Sequence, residues 1–380
     1  MTQEIRDFVP PACELLGLGE PTHQEPAFAL IRNELFAQLV ELGFRSIVLE
    51  TDRVAAFAVD DFVRADIGTL DTAMDQGFSH GFGALDANRQ LVGWLRDYNR
   101  DRPPAQRLSF HGFDTPTENY SAPSPRRYLE YARDYLRLDL DLSDLLGPDE
   151  RWSRSAAVLD PAESPGATAA ADRLRLLADD MTLALRKRAP DLIATSSRTE
   201  WRRAAANLDA GIGLLRYHRA AARRLATDER ITLLLATRDA LMAQNLLAIR
   251  DIEARRGPTL VFAHNLHLRQ HQSRGSVRDE LPGYACAGAI VGALLDDEQY
   301  ACIIGSLGSS AVLGLAEPAP DTHESFLQSE TSSWGLLPAT TPEAARSRTD
   351  PEPRQGYFPL DHLIVEQAAA LLHVRTGVAS

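Results

Sequence analysis

The chain has 380 residues, a formal net charge of −13, 44% hydrophobic and 24% charged residues, and three cysteines. That is ordinary globular composition, sufficient for one large domain or for a domain with a sizeable insertion. The acidic balance argues against nucleic acid, no apolar run approaches the ~18 residues of a membrane span, and Cys13, Cys286 and Cys302 are too scattered for a disulfide framework or a thiolate zinc site.

Residues 1–7 lack the basic-then-apolar pattern of a signal peptide, so a cytoplasmic location is expected. The first apolar run, 15–19, ends at a glycine and reads as a strand. A helix follows, with Phe28, Ile31, Leu35, Leu39 and Leu42 on one face and Gly43 in the usual closing position. Residues 46–49 form a continuous apolar run typical of a strand covered on both faces. Strand, helix, strand in this short span predicts a βαβ unit and a parallel sheet. A helix through Leu91, Trp94 and Leu95 leads to a third strand at 107–114.

From 124 to 256 the strand signal disappears, and alanine, leucine and arginine dominate around a Pro/Gly/Ser/Asp-rich loop at 147–166. Strands return at 258–263 and 300–305, and 315–356 reads as a long loop over the core. The expected fold is therefore α/β: a parallel-rich central sheet flanked by helices, with a large inserted helical lobe covering the cleft. Its catalytic core would be 1–123 with 257–380, and its lobe 124–256.

Ligands in open parallel sheets sit at the carboxyl ends of strands. Four of the proposed strands end on polar residues there. The first ends in Glu20 and His23, the second in Glu50 and Arg53, the third in Asp114, and the fourth in His264, Asn265 and His267. Glu20 also fits a helix cap. His264 and His267, three apart, share a site only if the chain turns after Ala263, which Asn265 permits. In the helix at 231–252, Arg238 and Asn245 lie on the apolar stripe of Ile231, Leu235, Met242 and Ile249. A buried arginine needs a partner, either an ion pair in the core or a carboxylate or oxygen in a site. No G-x-S-x-G elbow, H-E-x-x-H helix, P-loop or G-x-G-x-x-G fingerprint is present.

These blocks resemble, in order, the motifs of the erythromycin esterase-like family. They are Gly19-Glu20-Pro21-Thr22-His23, Val48-Leu49-Glu50, Asn88 with the stretch 94–99, Phe110-His111-Gly112-Phe113-Asp114, the stretch 238–245 from Arg238 to Asn245, and the stretch 261–267 ending His264-Asn265-Leu266-His267. Together they span 15 to about 305. The resemblance implies an α/β core with a helical lobe and a carboxylic ester hydrolase without cofactor or metal, in antibiotic resistance or natural-product biosynthesis. It implies His23 as general base for water attacking an ester or lactone, with Glu20, Glu50, His264 and His267 as partners. Arg238, with Arg53, Asn265 and Asp114, would bind a bulky small-molecule substrate of natural-product size. Two alternatives stay open. One places a divalent metal on His23, Glu50, His264 and His267. The other is a tailoring enzyme (cyclase, lyase or transferase) or a non-hydrolytic binding protein that keeps the cleft.

Overall fold

The computed structural model describes residues 4–270, 283–296, 298–352 and 355–377. Its core is a seven-stranded sheet of β1 (Leu15–Glu20), β2 (Ser46–Asp52), β3 (Ser109–Asp114), β4 (Thr259–His264), β5 (Tyr300–Ser309), β6 (Trp334–Pro338) and β7 (Ala370–Thr376), in the order β3-β2-β4-β1-β5-β7-β6. All pairings are parallel except β6 with β7. The five strands expected from the sequence are all present. β6 and β7 were not foreseen, and the stretch read as a long loop holds the helix His323–Glu330 as well as β6. The edge position of β6 explains the miss: it is five residues long and ends on a proline, which only an edge tolerates.

Period-two alternation sorts the strand residues onto two cores. Leu16, Leu18, Ile47, Leu49, Leu260 and Phe262 pack with the helices Pro26–Glu41, Phe57–Ala65 and Asp86–Asn99 on one face. Leu15, Val48, Val261 and Ala263 pack on the other face with Met242, Ala243, Leu246 and Ile249 of the helix Thr227–Glu253. Both faces are covered, which is why the central strands read as unbroken apolar runs.

The chain between β3 and β4 is helical, and its helices Arg126–Tyr135, Ala169–Lys187 and Arg198–Ala221 enclose a separate apolar cluster around Leu129, Trp152, Leu174, Met181 and Leu208. Short helices at Glu150–Ser153 and Ala156–Leu159 interrupt the stretch read as a loop, and bury Trp152 and Val158. Among the described residues, no helix is long and apolar enough to cross a membrane.

Candidate active site

β1 and β4 are neighbours, with Glu20 in register beside His264. Beyond β1 the chain turns through Pro21, whose carbonyl accepts from Phe358 N–H at 3.0 Å, and enters the helix Pro26–Glu41. The cap of that helix is Glu25, whose carboxylate accepts from Ala27 N–H, with Pro26 in the first turn. Glu20 is therefore free of capping duty. Its carboxylate accepts a 2.7 Å hydrogen bond from His23 Nδ1.

Beyond β4 the chain also turns, into a single helical turn Asn265–Leu268. His264 sits at the cap. Its Nδ1 accepts from Leu266 N–H at 3.2 Å and its Nε2–H donates to Pro21 O at 3.1 Å. Both ring nitrogens are thus held by backbone, and burial pushes its pKa down to about 3, so the ring is a neutral strut. The His23 ring meets it edge-on, with centroids 5.2 Å apart. His267 points the other way. Its Nδ1 lies 2.8 Å from Asp239 Oδ1 and its Nε2 lies 3.3 Å from Glu50 Oε1. Burial opposes its charge, but Asp239 and Glu50 outweigh that and hold its pKa well above the ordinary histidine value.

Glu50 is the hub. Its Oε2 accepts from His264 N–H at 2.9 Å, while Oε1 faces His267, Arg238 Nη2 at 3.2 Å and His23 Nε2 at 3.8 Å. Burial favours its neutral form, yet the cations around it keep its pKa well below the usual carboxylate value. Arg238 is gripped behind by fully buried Asp114, at 3.0 and 2.5 Å. Burial works against ionisation of Asp114, but Arg238 and His80 bring its pKa down to about 2. Burial, with the Glu50 charge beside it, raises the pKa of Glu20 although His23 and Arg32 oppose this.

His23 therefore differs from its neighbours. Its Nδ1 is fixed by Glu20, and among the described residues Nε2 has no hydrogen-bond partner. Burial lowers its pKa, but Glu50 and Glu20 together lift it above the ordinary value. Glu20, His23 and Glu50 border a cavity of about 480 Å³ with otherwise largely apolar walls, including Leu30, Phe82, Leu85 and Phe262.

The five residues expected to share a cleft, Glu20, His23, Glu50, His264 and His267, form one connected cluster with Arg238. Three others are committed to protein partners rather than to this cavity. Asn265 clips β5 through both ends of its amide, to Gly305 O at 2.8 Å and Gly305 N at 3.0 Å. Arg53 donates to Asn245 Oδ1 at 2.8 Å, and Asp114 is spent on Arg238 and His80. The cavity wall also differs from expectation. No residue of 124–256 lines it, because the helix Thr227–Glu253 packs on the opposite face of the sheet and reaches the cluster only through Arg238 and Asp239.

Two residues that support the cluster from behind were not anticipated. Asp239 is fully buried and orients His267. His80 has a left-handed backbone (φ 57°) and bridges Asp114 at 2.8 Å and Glu118 at 2.7 Å. Among the described residues, no group of three or more His, Cys, Asp or Glu side chains is arranged to hold a metal ion. The engagement of both His264 nitrogens removes one donor from the set considered for a metal.

Solved structures share the fold. A Bacillus cereus protein aligns with 98% of this chain and 90% of its own at 15% identity and TM-score 0.72. A histidine-to-asparagine mutant of the erythromycin esterase EreC, in its open conformation, covers 99% and 93% at 19% identity and TM-score 0.69. A succinoglycan biosynthesis protein covers 98% and 90% at 17% identity and TM-score 0.65. No curated protein sequence matches the chain. The family model described as erythromycin esterase matches residues 39–375, beginning after Glu20 and His23. With that match extending over most of its length, the chain belongs to the erythromycin esterase family.

Proposed function

We propose that the protein hydrolyses an ester or lactone in a bulky, macrolide-type small molecule, with His23 as general base. One observation carries this reading: of the three clustered histidines, only His23 borders the cavity, and its Nε2 has no hydrogen-bond partner among the described residues. With Nδ1–H held by Glu20, the neutral ring carries its lone pair on Nε2, which takes a proton from water as the oxygen attacks the carbonyl. The tetrahedral oxyanion develops in the field of two fixed cations that stand behind Glu50 and do not themselves line the cavity. These are the His267 imidazolium, kept charged by Asp239 and Glu50, and Arg238, kept in place by Asp114. His23, now protonated, returns the proton to the departing alkoxide. Glu20 and Glu50 stabilise the imidazolium formed in between.

The cavity volume of about 480 Å³ falls within the ~300–1,000 Å³ range of small-molecule sites, and its apolar walls suit a hydrophobic ring or chain next to the scissile bond. The test is incubation with a panel of macrolide lactones and simple esters, followed by mass. A gain of about 18 mass units, the mass of one water, that vanishes in His23→Asn supports hydrolysis by this site. A product of unchanged or lower mass assigns the cluster to isomerisation or elimination instead.

A further inference from the structure

A second cavity, of about 600 Å³, lies where the helices Ala169–Lys187, Arg198–Ala221 and Thr227–Glu253 meet, and shares no lining residue with the one beside His23. Four guanidinium groups line it: Arg53, Arg186, Arg198 and Arg202. In a chain of net charge −13 this is a local inversion of sign. Two carboxylates share the wall, Asp209 and Asp251. Asp209 is 3.7 Å from Arg53, and Asp251 is engaged by Arg250 at 3.3 Å. Arg186, Arg198 and Arg202 have no side-chain hydrogen bond or contact ion pair among the described residues.

Arg202 shows the effect of this crowding. Burial lowers its pKa first, and the neighbouring guanidinium groups of Arg198, Arg64 and Arg256 push in the same direction, with Glu253 opposing. An arginine cluster of this kind is relieved by an anion, which planar guanidinium groups bind through paired hydrogen bonds. The remaining wall is apolar and aromatic, with Leu185, Ile193, Ile252 and Trp201. Arg53 sits at the buried end, one side of its guanidinium on Asn245, whose amide in turn holds the Phe113 carbonyl at the end of β3.

We propose that this cavity is a binding site for a small amphipathic anion, a phosphate, sulfate or carboxylate carried on an apolar body, separate from the site of hydrolysis. The apolar body lies along Leu185, Ile193, Ile252 and Trp201, and the anionic head meets Arg198, Arg202 and Arg186.

The direct probe is 8-anilinonaphthalene-1-sulfonate, titrated by fluorescence into the full-length protein, with inorganic pyrophosphate as a charge-only competitor and N-phenyl-1-naphthylamine as the uncharged counterpart. Saturable sulfonate binding is expected, displaced by pyrophosphate, unchanged in His23→Asn and weakened at least about tenfold in Arg198→Glu/Arg202→Glu, the scale of losing a charge-assisted contact. Circular dichroism and thermal melting report whether the double variant is folded. If it is not, exposed Arg186→Glu and Arg198→Gln are measured singly and carry the same expectation. Binding that is equal in the folded variants, insensitive to pyrophosphate or matched by the uncharged amine would overturn the proposal, as would loss of the sulfonate signal in His23→Asn.

Discussion

Two turns at the carboxyl edge of the sheet make an instructive pair. The one after β1 carries Glu20 and His23, and the one after β4 carries His264 and His267, on adjacent strands and with the same spacing. In the first turn the leading residue serves the second: Glu20 holds Nδ1 of His23, which borders the cavity and whose Nε2 has no hydrogen-bond partner among the described residues. In the second turn the leading residue is consumed by the fold, His264 bonding Pro21 O and Leu266 N, while His267 is clamped between Asp239 and Glu50. Three imidazoles within one cluster thus meet three sets of partners, which under the proposed function make them a base, a neutral strut and a fixed cation. Residue type does not decide this; the partner of each ring nitrogen does.

The largest expected effect breaks the first turn. His23→Asn should lower turnover by roughly 10²–10⁴, the usual range for losing a general base, with the fold intact and a modest loss of stability because buried Glu20 loses its 2.7 Å imidazole partner. A variant that retains wild-type turnover would place the base elsewhere.

Next is the pair behind the second turn. Arg238→Ala leaves the buried Asp114 carboxylate with His80 as its remaining charged partner and also strips a cation from Glu50. It should cost about 3–5 kcal/mol of stability, the scale of breaking a buried ion pair, as well as turnover. Denaturant unfolding measures the first and steady-state kinetics of the folded fraction the second. The same pair has a pH signature. Because the folded pKa of Asp114 is depressed from 3.8 to about 2, its contribution to stability is present above the ordinary value and lost as pH falls through the folded one. Arg238→Ala should flatten this part of the stability–pH curve.

A smaller effect is expected at the strut. His264→Asn deprives the Pro21 carbonyl and the Leu266 N–H of their partner, at about 1–3 kcal/mol. Turnover by the folded enzyme should stay within about tenfold, since neither nitrogen of His264 handles a proton. A loss as large as that of His23→Asn would erase the distinction between the two turns.

The gentlest perturbation is Glu20→Gln. Glu20 and Glu50 raise the His23 pKa, and the base works only when neutral, so kcat/KM should rise with pH through a value above the ordinary 6.5. Removing the Glu20 charge should move that limb to lower pH, and an unmoved limb would show that another group sets it.

Much of this arrangement was legible in the chain because doubly covered parallel strands leave unbroken apolar runs, and each run stopped at its reactive residue: Glu20, Glu50, Asp114 and His264. Asp239 was missed for a geometric reason. The stripe through Arg238, Met242, Asn245 and Ile249 shares Met242 and Ile249 with the most buried line of the helix, which runs through Asp239, Met242, Ala243, Leu246 and Ile249. A rotation of about one residue exchanges the arginine for the aspartate. His80 lies in an irregular segment where periodicity carries no signal, and its role arises only when the fold brings Asp114 and Glu118 to either side. Residues of 124–256 reach the ends of β2 and β3, with Tyr128 at Asp52 and Asn245 at the Phe113 carbonyl, but none lines the cavity beside His23: the length of an insertion does not reveal which strand ends its helices cover.

The central claim, that three clustered histidines differ in protonation because of their partners, is open to a measurement that needs no substrate. Ring-nitrogen NMR of protein labelled with ¹⁵N-histidine, assigned with His23→Asn, His264→Asn and His267→Asn, reads tautomer and pKa for each. The account predicts that His23 titrates above the ordinary 6.5, that His264 remains neutral with its proton on Nε2 down to the acid limit of the fold, and that His267 remains doubly protonated through neutral pH. If His264 titrates alongside His23, or His267 is neutral at pH 7 while His23 holds its proton throughout, the assignment of base, strut and cation is contradicted.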